Sequence, residues 1–244
     1  AVICLATAPL YLGMGQILTL DMPLTACVTV ALTAVWRAYE QGSRVWSRIA
    51  WLMVGIGVLV KGPIAFVLVV MPTVAVYAAG RNWSRVRCLL DPLAVLLMFA
   101  VCGPWLLAVQ WANPDFFQTF FMQHHIQRFV QPWHHQEPWW FFCAVLPPAL
   151  FPWSLVWIAG KRSWYAIPWR EPRTLFLGGW AAATLLLFSA SGAKLIPYIL
   201  PALPPMAILL AQVYVRAYDD DAHLLVRLVA RCLCVSAGIR PSRL

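Results

Sequence analysis

The stretch LLDPLAVLLMFAVCGPWLLAVQW, residues 89–111, carries one charged side chain, Asp91, near its start and none after it. A helix needs about 20 residues to cross a bilayer core of about 30 Å, and this run meets that length. Working outward, further apolar runs lie at 1–19, 22–36, 48–60, 63–79, 139–160, 174–189 and 195–215. The runs at 22–36 and 48–60 are short for a span. No barrel-type alternation of period two occurs, which leaves helices as the spanning element. Hydrophobic residues make up 62% of the chain and charged residues 11%, whereas soluble domains carry about 25% charge. The mean hydropathy is +0.73. The expected fold is therefore all-α: a polytopic transmembrane helix bundle of about eight spans. Residues 1–215 form one membrane domain, and 216–244 form a cytoplasmic or partly inserted tail in which Arg227 and Arg231 interrupt an apolar stretch.

The formal net charge is +9. Its basic residues are scattered over short connections and form no aromatic-interleaved patch, which argues against nucleic-acid binding. The seven cysteines lie mostly in or beside apolar runs, where thiols behave as small hydrophobes. The chain opens on Ala1 with no basic leader and small-residue cleavage site, and reads as a piece of a longer protein.

Charge placement gives sidedness. The connections 37–49, 80–91 and 161–173 hold ten basic residues against three acidic ones, while the alternate connections hold Lys61, Arg128 and Lys194 against Asp21, Asp115 and Glu137. Lys and Arg concentrate in cytoplasmic loops, so the second set faces outward. For 37–49 and 80–91 to share a side, the chain must turn at Lys61-Gly62-Pro63, with Pro63 opening a new helix. Trp36, Trp46, Trp51, Trp83 and Trp164 then mark the cytoplasmic boundary, and Trp105, Trp111, Trp139 and Trp140 the outer one, as aromatic belts.

The polar residues left at the outward boundary are the candidates for chemistry. Asp21 between two apolar runs is either a functional carboxylate or an N-cap for the helix that follows. Lys61 is either a phosphate-binding ammonium or a snorkelling lysine at a helix end. The 112–138 loop is the richest segment. Phe116, Phe117, Phe120, Phe121 and Ile126 make an apolar stripe after Pro114, which predicts an amphipathic helix on the outer interface. His124, His125, Gln127 and Arg128 cluster around its later turns, with His134 and His135 beyond. Imidazoles bind metals and carry protons, but this spacing matches no zinc motif, so metal ligation and a polar interface both stand as readings. Lys194 and Tyr198 are four apart and share a face if a helix has begun. Pro197 and Pro201 break that helix, and broken membrane helices line cavities.

Four segments, in order, resemble the 4-amino-4-deoxy-L-arabinose lipid A transferase family and its broader kin, the dolichyl-phosphate-mannose protein mannosyltransferases. They are Leu18-Thr-Leu-Asp21-Met-Pro; Lys61-Gly62-Pro63; His125-Ile-Gln-Arg128-Phe129 with His135-Gln-Glu-Pro138; and Ser191-Gly-Ala-Lys194-Leu-Ile-Pro-Tyr198-Ile-Leu-Pro201. The resemblance spans about residues 10–212. It implies an integral membrane glycosyltransferase with extracytoplasmic interfacial helices, set in a bacterial inner membrane. Such an enzyme moves a sugar from a polyprenyl-phosphate donor to a lipid or protein acceptor. By the same resemblance Asp21 is catalytic and His125 is linked to a divalent metal. Lys61, Arg128, Lys194 and Tyr198 lie near the donor phosphate or the cavity rim. His124 stands where relatives often carry Glu, and His135 is a further candidate. The family's outward acidic loop, of Asp-Glu type, precedes everything in this chain, so the chain alone is expected to lack a catalytic carboxylate and a metal partner. A transporter or flippase for a lipid-linked or anionic substrate is the alternative, and a non-catalytic remnant is a third reading.

Overall fold

The computed structural model describes residues 1–80, 87–119, 137–159, 164–165 and 167–219. Among the described residues there are helices and no β-strand. Two short helices, α1 (Val2–Ala6) and α2 (Pro9–Met14), precede α3 (Asp21–Gln41), α4 (Arg44–Lys61), α5 (Ile64–Gly80) and α6 (Pro92–Ala112). After these come α7 (Phe141–Ala149), α8 (Leu155–Ala159), α9 (Pro172–Ala190), a 3₁₀ segment at Ile196–Ala202 and α10 (Leu203–Asp219). Three helical stretches, Arg87–Ala112, Pro172–Ala190 and Ile196–Val215, are long and apolar enough to cross a membrane.

The breaks follow from local chemistry. Proline lacks an amide hydrogen but suits the first helical position, and Pro9, Pro92 and Pro172 each open a helix. The apolar run at 1–19 therefore folds as two short helices, not as one span. The run at 139–160 also divides, into α7 and α8, at a turn after Pro147 and Pro148. The turn at Gly62 is present, with φ +82° and ψ −162°, a region open essentially only to glycine. Helix α5 starts at Ile64, one residue after Pro63, whose carbonyl accepts the Val67 amide at 3.2 Å. Helix α10 runs on to Asp219, past the boundary expected at Val215, and the tail at 220–244 lies outside the described residues.

Packing proceeds through small residues, as in membranes where apolar burial gives little drive between helices. Helix α3 packs on α4, and α4 on α6. Gly55 lets α4 and α6 touch backbone to backbone: a Cβ there meets the Met98 carbonyl oxygen at 2.9 Å and the Met98 Cα at 3.2 Å. Helix α9 lies against α5 and α10. The α3 threonines keep their hydroxyls inside the helix. Thr25, Thr29 and Thr33 donate to the carbonyls of Asp21, Thr25 and Thr29, each at 2.7 Å, a pattern open to Ser and Thr in helix interiors.

One end of the bundle is fastened at the connection before α6. The Arg48 Nε donates to Asp91 Oδ2 at 2.9 Å, and the Ser47 hydroxyl and the Trp51 indole both donate to the Leu89 carbonyl, at 3.3 and 2.7 Å. The Cys88 thiol reaches the Gly42 carbonyl at 3.3 Å. Elsewhere the Trp153 indole donates to the Thr7 hydroxyl at 2.8 Å, tying α1 to the turn between α7 and α8. The tryptophans divide. Trp105, Trp111, Trp139 and Trp140 are exposed, as a belt requires, whereas Trp36, Trp46, Trp51 and Trp164 are partly buried and pack on the core. Trp83 lies outside the described residues.

The Gly55 contact gives a direct expectation. Gly55→Ala forces a methyl against fixed backbone and costs about 1–3 kcal/mol, read as a lowered Tm in detergent. Gly103→Ala, with nothing within 4 Å of its added Cβ, does not lower Tm.

Candidate active site

The other end of the α3–α4 hairpin gathers the polar groups. Asp21 is the first residue of α3 and Lys61 the last of α4, and the Lys61 ammonium donates to Asp21 Oδ1 in a direct ion pair. Both charges suit their helix ends, an anion at the amino end and a cation at the carboxyl end. Their side chains are 14% and 24% exposed respectively, so the pair sits mostly out of water while keeping an open side. The N-cap of α3 is Leu20, with no side-chain capping bond. Asp21 is therefore not a cap, and its carboxylate is directed to Lys61. Nor does Lys61 simply snorkel, since its ammonium is held.

A third element closes on the pair. The Lys61 Nζ lies 4.7 Å from the centroid of the Tyr198 ring, within the range of an attractive cation–π contact. Tyr198 belongs to the 3₁₀ segment and is backed by Phe188 of α9, ring centroids 5.0 Å apart. Pro197 and Pro201 keep this segment from continuing as regular α-helix, which is the break the sequence predicts.

For Lys194 the condition for a face shared with Tyr198 is not met. Leu195 is extended (φ −121°, ψ 141°) and the 3₁₀ turn starts at Ile196, so Lys194 precedes the helix and shares no helical face with Tyr198. Its side chain is 6% exposed, and its ammonium donates to the Ser191 carbonyl at 2.7 Å. The Ser191 carbonyl thus gives this buried donor a hydrogen-bond partner, as buried polar groups require.

Two features escaped sequence reasoning. The Thr19 hydroxyl oxygen, two residues before Asp21, is buried without a hydrogen-bond partner among the described residues. Phe188 backs the Tyr198 ring, but a lone phenylalanine in an apolar run carries no signal of it. His124, His125, Arg128 and His135 lie outside the described residues. The Gln110 side chain reaches the start of that loop, its Oε1 accepting the Phe117 amide at 2.9 Å and its Nε2 donating to the Pro114 carbonyl at 2.5 Å. Among the described residues no three His, Cys, Asp or Glu side chains gather as a cation site.

Comparison with known proteins places this arrangement. The family described as dolichyl-phosphate-mannose-protein mannosyltransferase matches residues 1–108. An undecaprenyl phosphate-alpha-4-amino-4-deoxy-L-arabinose arabinosyl transferase of Pseudomonas paraeruginosa is 35% identical over 235 residues, covering 91% of this chain and 42% of that protein. A protein of the same name from Edwardsiella ictaluri is 32% identical, covering 92% of this chain and 42% of its own length. The crystal structure of ArnT from Cupriavidus metallidurans bound to undecaprenyl phosphate superposes with a TM-score of 0.82. It is 26% identical and is covered over 98% of this chain and 46% of that one. The fold is thus that of an integral membrane glycosyltransferase. The chain belongs to the dolichyl-phosphate-mannose-protein mannosyltransferase family in its arabinosyl transferase-like form, and it spans less than half the length of the relatives it matches.

The ion pair predicts its own mutational signature. Lys61→Met or Asp21→Asn leaves a mostly buried charge alone and lowers Tm, while the double variant loses less than the sum. The coupling in a double-mutant cycle is about 1–3 kcal/mol, and additive losses would show that the two groups do not interact.

Proposed function

We propose that this chain carries the donor-phosphate end of a membrane sugar transferase that uses a polyprenyl-phosphate-linked sugar and a lipid acceptor. The observation that carries this reading is the meeting of Asp21, Lys61 and Tyr198, from three separate segments, at one end of a bundle with a sugar transferase fold. The named substrate of the arabinosyl transferase relatives supports a donor of the undecaprenyl phosphate–aminopentose kind.

In this reaction the bond between the anomeric carbon and the phosphate oxygen breaks. The acceptor oxygen attacks that carbon, and its proton passes to the Asp21 carboxylate as general base. The leaving phosphate carries away the bonding electron pair. Lys61, already at the mouth of the pair, meets the charge growing on the phosphate, with Arg128 and Lys194 as further cations. Preorganised charge of this kind acts where the transition state needs it. Tyr198 holds the Lys61 ammonium from its other side, so the cation stays in place when the carboxylate turns to the acceptor. A divalent cation with His125 as a ligand belongs to the reading through family resemblance alone, and no step above depends on it.

The eight apolar runs are read as membrane-embedded segments. Helices α3 to α6, α9 and α10 cross the bilayer, and the runs folded as helix pairs enter it in shorter pieces. Arginine-rich connections keep the Arg48–Asp91 end cytoplasmic, which sets the Asp21–Lys61 end outside, beside the amphipathic loop of 112–138. A transporter needs its polar groups near mid-membrane, and the ion pair at helix termini favours transfer chemistry over transport.

Two measurements test the reading. In the intact protein, Lys194→Ala lowers transfer from undecaprenyl phosphate–aminoarabinose to lipid A by about 10²-fold or more, the order expected for loss of a charge-stabilising donor; wild-type turnover would remove Lys194 from the site. In a cysteine-free background, Leu18→Cys reacts with an impermeant maleimide in intact cells and Val45→Cys does not. Equal labelling of these two exposed positions overturns the sidedness.

A further inference from the structure

We infer that Gly57, which touches no reacting group, is a positioning residue that sets the separation of Asp21 and Lys61. The inference rests on the reading that this pair serves the transfer reaction. Gly57 lies four residues before Lys61 on α4, hence one turn beneath it on the same face. A Cβ at Gly57 comes within 2.8 Å of the Ala65 Cβ in the first turn of α5, 3.5 Å of the Cys27 Cβ on α3, and 4.0 Å of a Leu24 methyl. Leu24 is in turn three residues after Asp21. The bare Gly57 backbone is thus the point where α3, α4 and α5 close together, immediately under the charged pair.

The contact has no slack. Ala65 is 1% exposed and Leu24 is 1% exposed, and a Cβ cannot rotate away as the end of a long side chain can. Carbon atoms rest at about 3.5–4.0 Å, so a methyl on Gly57 displaces α4 from α5 by about 1 Å. Lys61 ends α4 and Gly62 begins the turn into α5, so the displacement is delivered to the ammonium. A misplacement of about 1 Å is enough to lower a reaction rate by about 10²-fold. Gly55, on another face of the same helix, meets α6 instead and lacks this link.

The contact is between two single carbons, which makes it reversible by design: Ala65→Gly removes the atom that a methyl on Gly57 strikes. In the intact protein in membrane vesicles, with undecaprenyl phosphate–aminoarabinose as donor, Gly57→Ala lowers kcat by about 10²-fold. The double variant Gly57→Ala/Ala65→Gly recovers to within about threefold of wild type, a residual of about 0.7 kcal/mol. A second readout is independent of catalysis. In a protein carrying Asp21→Cys and Lys61→Cys, disulfide formation under mild oxidation falls when Gly57→Ala is added and returns with Ala65→Gly. Should Gly57→Ala alone fail to fold, the double variant still decides, since it must fold, cross-link and transfer. Wild-type transfer or wild-type cross-linking by folded Gly57→Ala overturns the inference, as does a folded double variant that recovers neither. Full transfer by both Asp21→Asn and Lys61→Met would instead remove the functional reading beneath it, while the cross-linking result continues to report on Gly57.

Discussion

The pairing of Asp21 with Lys61 constrains the rest of the bundle. Both side chains are mostly buried, and a charge left there without its partner is costly, so two unpaired charges at these positions would oppose the closing of α3 on α4. Paired, they need only that the two helix ends be level. That requirement passes down the hairpin. Helix α3 has 21 residues and α4 has 18, about 31 and 27 Å at 1.5 Å per residue. The chain turns between them through Gly42 at φ +63°. One residue added to either helix rotates its terminal side chain by about 100° and separates the charges. Ala31, Ala34 and Ala38 on α3 and Ala50 on α4 are all buried, and side chains this small let helices pack closely.

The opposite end solves a different problem. There a connection must return to the membrane as α6, and its polar backbone needs partners. The Leu89 carbonyl receives two donors from α4, and Asp91 receives Arg48. Both donors and the guanidinium come from the first two turns of α4, the helix whose last residue is Lys61. Helix α4 is thus fixed at its start by hydrogen bonds to the α6 connection and at its end by an ion pair to α3. Between these points Gly55 and Gly57 allow contact with α6 and α5. A helix held at both ends and in close contact along its length presents its terminal ammonium in one place.

Much of this was legible in the sequence where a residue's own chemistry dictates the outcome. Gly62-Pro63 had to be a turn, because one residue reaches conformations closed to the others and the next cannot donate an amide hydrogen. Lys61 and Asp21 fell on one boundary by counting basic loops, though their direct contact did not follow from it: a span count gives level, not azimuth. The division of the run at 1–19 was missed because hydropathy measures affinity for lipid and says nothing of helix continuity, which Pro9 decides. Whether Lys194 shares a face with Tyr198 stayed open for a related reason. Four-residue spacing brings side chains together only inside an α-helix, and the chain is extended at Leu195. Arg48 and Asp91 were read as separate loop charges, because nothing local marks a pair 43 residues apart. Gly57 gives no sign by itself, since its meaning lies in Ala65 across the turn.

The aromatic partner of Lys61 bears on what the cluster attracts. Had a second carboxylate stood where Tyr198 stands, it would have held the ammonium more strongly and repelled an anionic substrate. The face of a phenol ring attracts a cation through its quadrupole and adds no net charge. The formal charges of Asp21 and Lys61 cancel, and Lys194, in the segment that leads to Tyr198, adds one positive charge that no carboxylate among the described ion pairs offsets. The pair itself is therefore formally neutral, and under the proposed function the further cation at Lys194 matches the charge of a donor phosphate. Pro197 and Pro201 serve the same end: by preventing a regular helix they fix the Tyr198 ring over Lys61, and the Phe188 ring behind it keeps it there.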